Sequence, residues 1–429
     1  MAHPAYKYRP DENPSIPISN LVEAFGVQDD QVDRVLGPSG PIAASLPGYQ
    51  PRPAQLRMAQ MVARGFKLRK HVVAEGGTGT GKSLAYLVAA ILSGKTVVVS
   101  TATLALQDQL RRKDLPFLEK HLGRPFRWAV LKGRTNYLCV ANDDCAPLGY
   151  EAEMEEVLRW SARTETGDLG ELPWDLKQGY YLPLKSALSV MEDECPGRKC
   201  PAAKDEMCWF YRARERAAEA RILVVNHALL ILDLVLGGNI LPPHDAVVID
   251  EAHQLEEYAR GALERRLSTS RLKRILSQAQ KFDVPGDRVR EVSDVFFGLV
   301  AAHVQGLIRG RSGQVRLHPL ELPKELPATA LELSEHLGAM DEQLARRAAS
   351  QGEDDPAAGK LEALRRKVAE LRDDLKGFTE EQASHVLWVE GQLERPSVVL
   401  LAPVVVAPFL RKHLVGRQAG MPVVLTRGT

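Results

Sequence analysis

Residues 71–92 constrain this chain more than any other stretch. His71-Val72-Val73-Ala74 is a short apolar run of strand type, and Leu84 to Leu92 carries a helical apolar pattern. Between them lies Glu75-Gly76-Gly77-Thr78-Gly79-Thr80-Gly81-Lys82-Ser83, which contains Gly-x-x-x-x-Gly-Lys-Ser. Glycines let the backbone turn so that its N–H groups converge on phosphate oxygens, and the helix N-terminus then faces the anion. The pattern predicts a nucleoside triphosphate site. Gly76, Gly77, Thr78, Gly79, Thr80 and Gly81 wrap the phosphates, Lys82 reaches the β and γ groups, and the Ser83 hydroxyl ligates Mg²⁺.

Such a site needs a second set of groups, and Ala246-Val247-Val248-Ile249 supplies the strand for them by running into Asp250-Glu251-Ala252-His253. In that position Asp250 would hold the Mg²⁺, Glu251 would polarise an attacking water, and His253 would link the γ-phosphate to a neighbouring lobe. Acidic residues also end many strands simply as solvated loops; the upstream phosphate loop makes the catalytic reading the stronger one. Lys95 to Thr101 and Ala220 to His227 are further β-branched runs, so the grammar is that of an α/β parallel sheet. Thr101, Thr103 and Gln107-Asp108-Gln109 follow the second strand, where they suit either a nucleic-acid backbone or an ordinary helix cap and polar helix face. Upstream, Arg52 and Gln55 open a helix after Pro51 and Pro53. A Gln55 amide there matches the donor and acceptor edges of adenine, and equally a polar surface face.

With 429 residues, 45% hydrophobic and 26% charged, there is material for several globular cores. A formal net charge of +1 leaves any nucleic-acid surface to local patches. The N-terminal residues lack a basic stretch followed by an apolar one, and no apolar run is long enough to span a bilayer, so a cytoplasmic protein is expected. All five cysteines, at 139, 145, 195, 200 and 208, fall in one segment. Clustering in a reducing compartment favours metal ligation over disulfides. Cys195-x4-Cys200-x7-Cys208 with a distant Cys139 lacks the two close pairs of a zinc ribbon and suits a [4Fe–4S] cluster, in which each iron takes one thiolate. Zinc and free buried thiols are the other readings, and Cys145 either is spare or replaces Cys139. Trp209-Phe210-Tyr211 beside the last cysteine reads first as apolar packing, and Arg212, Arg214 and Arg216 as the better nucleic-acid contacts.

The expected organisation is a lead-in over 1–48, a motor lobe over 49–132, 219–255 and 386–429, a cysteine domain over 133–218 and a helical insertion over 256–385. In the insertion Leu333, Leu337, Met340 and Leu344 pair with Leu361, Leu364, Val368, Leu371 and Leu375 as an antiparallel helical hairpin whose polar turn spans 351–356. The sheet is expected to resume with Val386 to Val389, Ser397 to Ala402 and Pro422 to Thr426.

Taken together, Arg52-x-x-Gln55-x-x-Met58, the phosphate loop, Leu131-Lys132-Gly133-Arg134-Thr135-Asn136-Tyr137-Leu138-Cys139, the three later cysteines, Val225-Asn226-His227-Ala228-Leu229-Leu230 and Asp250-Glu251-Ala252-His253 resemble the DinG/XPD family of iron–sulfur DNA helicases. The resemblance implies a RecA-like lobe binding ATP and Mg²⁺, a cluster domain that helps separate strands, and an all-helical arch around single-stranded DNA. It also implies 5′ to 3′ movement, action at duplex junctions in repair or replication, and a monomer. The family continues through Thr-Ser-Ala-Thr into a second lobe, where this sequence reads Thr426-Arg427-Gly428-Thr429. On that basis the chain is expected to be the N-terminal portion, binding ATP and DNA but unwinding poorly. The alternative is a truncated ATP- and DNA-binding module without unwinding activity.

Overall fold

The computed structural model describes residues 30–46, 48–77, 79–142, 147–176, 178–190, 195–307, 315–317, 323–351, 356–380, 385–392, 395–416 and 420–428. Thr78, Cys145, residues 352–355 of the expected polar turn and the first 29 residues of the lead-in lie outside these. Six strands form one parallel sheet: β1 (Val72–Gly76), β2 (Val97–Thr101), β3 (Trp128–Val130), β4 (Ile222–Asn226), β5 (Ala246–Ile249) and β10 (Val423–Gly428), in the order β1-β10-β5-β2-β4-β3. The β-branched runs are the cause. Alternate side chains of one strand enter opposite cores, and helices cover both faces. Val97, Val99, Val224 and Val248 face a core shared with α1 (Pro53–Leu68) and α2 (Lys82–Ser93). Val98, Leu223, Val225, Val247 and Ile249 face the other, shared with α3 (His227–Val235).

The last strand to be made, β10, enters between β1 and β5, with Ala74 opposite Thr426 and Leu425 opposite Ile249. That placement puts the phosphate loop, the Asp250 turn and Thr426 at one carboxyl edge, the edge where open parallel sheets bind ligands.

Two insertions have cores of their own. The cysteine-bearing one is small, built on Tyr150, Val157, Trp160, Leu169, Leu172, Leu176, Leu184 and Leu188. The other contains the expected hairpin, α4 (Glu325–Ala349) and α5 (Pro356–Glu380), with all nine seam residues from Leu333 to Leu375 buried. It is not all-helical. A four-stranded antiparallel sheet, β6 (Arg265–Ser268), β9 (Arg395–Pro403), β8 (His385–Gln392) and β7 (Val315–Leu317) in that order, closes the same core.

The expectation that Val386–Val389 and Ser397–Ala402 resume the parallel sheet is therefore corrected. They are β8 and β9, paired antiparallel with Leu387 opposite Leu401. Only residues 393–394 separate the two strands, and a connection that short permits a hairpin but no crossover. The motor lobe resumes later, with Val406, Leu414 and Met421 in its core and β10 as its only returning strand among the described residues.

Candidate active site

The phosphate loop leaves β1 and enters α2 through Gly79 and Gly81, at φ +75° and +80°, a left-handed conformation that costs glycine nothing. Thr80 folds back, its hydroxyl donating to the Gly77 carbonyl at 2.8 Å. Lys82, the first residue of α2, lies across the loop: its Nζ donates to the Gly76 carbonyl at 3.3 Å and stands 3.6 Å from Glu251 Oε1. The two halves of the predicted site thus meet, although they are far apart in sequence.

The Asp250 carboxylate is buried and held from three sides. Tyr86 donates to Oδ2 at 3.0 Å, Thr426 donates to Oδ1 at 2.8 Å, and the Glu251 backbone N–H donates to Oδ1 at 3.1 Å. Burial pushes its pKa above the usual carboxylate range, against the two hydroxyl bonds and Lys82, which favour the ionised form. The Tyr86 hydroxyl is raised well above its ordinary value, by burial first and then by the Asp250 charge, so it stays a donor.

Glu251 adopts the left-handed conformation, φ +53°, which costs a non-glycine residue on the order of 1 kcal/mol and persists only where surroundings enforce it. Here the enforcement is visible: Oε2 accepts from the Gly428 N–H at 2.8 Å and lies 3.5 Å from His253 Nδ1, while Oε1 faces Lys82. Gly428 matters as a glycine. A Cβ there would stand 3.0 Å from Glu251 Oε1 and 3.2 Å from Lys82 Nζ, filling the space between them. That cradle, with one cation, two carboxylates and the Ser83 hydroxyl at the helix start, fits a magnesium-bound triphosphate.

Behind the turn sits His227, fully buried at the start of α3, with Nδ1 2.7 Å from Ser100 Oγ and its Nε2 without a hydrogen-bond partner. Burial drives its pKa down to about 4, so the ring is neutral at physiological pH. Thr101 and Gln107, offered above as nucleic-acid contacts, are fully buried; Gln107 Nε2 donates to the Leu131 carbonyl at 3.3 Å. Thr103 caps the next helix by accepting from the Leu106 N–H at 3.2 Å. Gln55 is buried as well, no part of a polar surface face, and Arg52 donates to the Gly79 carbonyl.

Cys139, Cys195, Cys200 and Cys208 form no disulfide with one another. Among the described residues no three His, Cys, Asp or Glu side chains converge on a point that one metal ion would occupy. A cubane makes no such demand, because each thiolate binds a different iron. The Cys139 thiol is pushed up, first by burial and then by Cys195, Cys200 and Cys208, so the four sulfurs share one electrostatic neighbourhood. Cys195 Sγ accepts from Arg134 Nη1 at 2.8 Å and from the Gly197 N–H at 3.4 Å. Four thiols are the donor set a cubane takes, one to each iron. Arg134 also lies 4.3 Å over the Phe210 ring, and Arg212 4.4 Å over Trp209, so the aromatics beside Cys208 pack against arginines.

Tyr86, Thr426 and Gly428 did not emerge from the sequence as site residues. Tyr86 carried a signal, since it lies four residues after Lys82 on the same helix face; Thr426 and Gly428 carried none until β10 was placed beside β1 and β5.

No family model matches the chain. The sequence is 36% identical over 247 residues to the ATP-dependent DNA helicase YoaA of Escherichia coli, a match covering 55% of this chain and 38% of that protein. It is 38% identical over 245 residues to the ATP-dependent helicase DinG of Mycobacterium tuberculosis, covering 50% and 36%. The chain therefore matches little more than a third of the length of these relatives. A solved structure titled XPD helicase superposes with a TM-score of 0.50 at 15% identity, covering 89% of this chain and 58% of that one, which establishes a shared fold. Over about half its length the chain is thus similar in sequence to the DinG and YoaA helicases, and its fold is shared with XPD helicase.

Proposed function

We propose that this chain is the nucleotide-binding motor lobe, with its two insertions, of a DinG-type ATP-dependent DNA helicase. It would be a cytoplasmic monomer that couples ATP hydrolysis to 5′ to 3′ movement on single-stranded DNA and to opening of duplex junctions in repair or replication. One observation carries the reading: Lys82, Asp250 and Glu251 meet at the carboxyl edge of a single parallel sheet, in a sequence similar to ATP-dependent DNA helicases. Ser83 and Asp250 would hold Mg²⁺, which supplies charge neutralisation at the phosphate oxygens. Lys82 binds the β and γ phosphates, exchanging its Glu251 contact for them. Glu251, released from that contact but still held by the Gly428 N–H, is then free to accept a proton from water, and His253 relays the state of the site outward. Thr78 belongs to the same phosphate-binding loop. Cys139, Cys195, Cys200 and Cys208 would hold a [4Fe–4S] cluster, which cross-links the loops of a domain whose own apolar core is small.

Titration of the 429-residue chain with Mg·ATP, and of a labelled single-stranded oligonucleotide by anisotropy, tests this directly. Saturable binding of both is expected, and failure to bind ATP would sink the motor reading. Anaerobically purified protein is expected to carry about four iron and four sulfide per chain. Zinc in their place would remove the cluster and leave the motor lobe standing.

A further inference from the structure

We infer that the outward face of α1 is a docking surface for an acidic segment of another protein that carries apolar side chains among its carboxylates. From Arg34 to Ala74 the sequence holds seven Lys and Arg residues and no Asp or Glu, in a chain whose formal net charge is only +1. Such a local excess attracts an anionic partner that the molecule as a whole would not. α1 turns Met58, Ala59, Val62 and Phe66 into the core it shares with the parallel sheet. Arg57, Met61 and Leu68 recur at four and seven along the opposite side, with Lys67 beside them. Met61 is 43% exposed and Leu68 51%. Arg57, Lys67, Arg69 and Lys70 are exposed too, and among the described residues none of the four has an acidic partner.

Helix energetics alone do not account for these cations. The macrodipole favours positive charge at a helix C-terminus, but the effect fades within the last turn, and Arg57 lies about three turns before the end of α1. Arg69 follows the last residue of α1 in the left-handed conformation, φ +55°, at a position that glycine or asparagine usually fills. The cation therefore stands there at a conformational cost. The mixture of side chains then decides the occupant. Nucleic-acid phosphates would pair with the cations and leave Met61 and Leu68 in water. Single-strand sites add aromatic platforms, and the one aromatic residue of α1, Phe66, is buried. A polypeptide that intersperses carboxylates with apolar side chains satisfies the cations and the apolar pair together, and Met and Arg are side chains that protein–protein interfaces favour.

The test titrates the whole chain, by anisotropy, against two labelled peptides of equal charge, one with Leu and Phe among its Glu residues and one with Ser in their place, and against a labelled DNA duplex. The Leu-bearing peptide is expected to bind more tightly than the Ser-bearing one. Arg57→Glu combined with Lys67→Glu should weaken both peptides by about tenfold at low salt, because two attractions become repulsions. Met61→Ser combined with Leu68→Ser should abolish the advantage of the Leu-bearing peptide and leave the Ser-bearing one unchanged. Neither double variant should alter duplex affinity. A Leu-bearing peptide that fails to bind, or binds both variants as it binds the wild type, overturns the inference. A charge reversal that weakens the duplex more than the peptides overturns it in favour of a nucleic-acid surface. The four substituted side chains are exposed or half-exposed, and hydrogen exchange in β2 checks that the fold is kept; should a double variant lose that protection, Arg57→Glu and Leu68→Ser alone decide by the same rules. None of these outcomes passes through the phosphate loop, so failure of the ATP-site reading is separable from failure here.

Discussion

Replacing Lys82 by alanine is expected to lower the affinity for Mg·ATP by about a hundredfold while leaving the fold intact. Hydrogen bonds from an ammonium to phosphate contribute roughly 1.5–3 kcal/mol each, and about 1.4 kcal/mol is a factor of ten. Two phosphates are at stake. The ammonium stands 3.6 Å from Glu251 and donates to the Gly76 carbonyl at 3.3 Å. The substitution leaves Glu251 with the Gly428 N–H and His253, which is enough to keep the strained turn in place. ADP, with one fewer phosphate for Lys82 to reach, should lose less than ATP. Titration with fluorescent nucleotide analogues checks both statements; a drop under threefold for ATP would show that Lys82 does not contact the phosphates.

Lys132→Ala is expected to have the largest effect on stability, about 3–5 kcal/mol, because it leaves a buried carboxylate without its nearest cation. The Lys132 and Asp168 side chains are 3% and 6% exposed, with Nζ 2.7 Å from Oδ2. Lys132 follows β3 in the motor lobe, whereas Asp168 belongs to the cysteine-bearing insertion, so the pair pins one to the other. Neighbouring charges form a network: Lys132 reaches Asp108 at 3.3 Å, and Arg111 reaches Glu171 at 3.1 Å and Asp168 at 3.7 Å. Arg111 can take up part of the exposed charge, which puts the lower end of the range within reach. Two-state melting is not expected of a chain with several cores, so the measurement is hydrogen exchange across residues 150–172. Protection there should fall by roughly a hundredfold or more, while β2 and β5 keep theirs. Equal loss across the motor sheet would mean that the pair supports the whole fold and does not pin the insertion.

Both expectations depend on features that were legible to different degrees. Gly79, Gly81, Lys82 and Ser83 could be read directly, because a glycine-rich turn between a strand and a helix has few other conformations and positive φ is written in the residue type. Asp250 and Glu251 could be read for a similar reason: four apolar residues make a buried strand, and whatever follows it must emerge at its carboxyl end. The helical hairpin was legible from apolar spacing alone. The second insertion's sheet was not, since Val398 to Ala402 is equally apolar as a central antiparallel strand and as a parallel one. The two-residue connection between β8 and β9 held the answer and outweighs composition. Gln55 was ambiguous for another reason: an amide offers the same donor and acceptor to a base, a solvent molecule or a backbone carbonyl, and only the surroundings choose.

The sequence by itself determined the local pieces of this protein: which runs become buried strands, where the backbone must turn left-handed, and where a cation, a hydroxyl and two carboxylates leave their strands. Those are short-range steric and solvation effects, complete within about ten residues. Tertiary structure alone decided that β10 enters between β1 and β5, and with it that Thr426 steadies Asp250 and Gly428 leaves room between Glu251 and Lys82. Contacts between residues that distant in the chain follow from packing every apolar face of the sheet at once, and no local pattern encodes them.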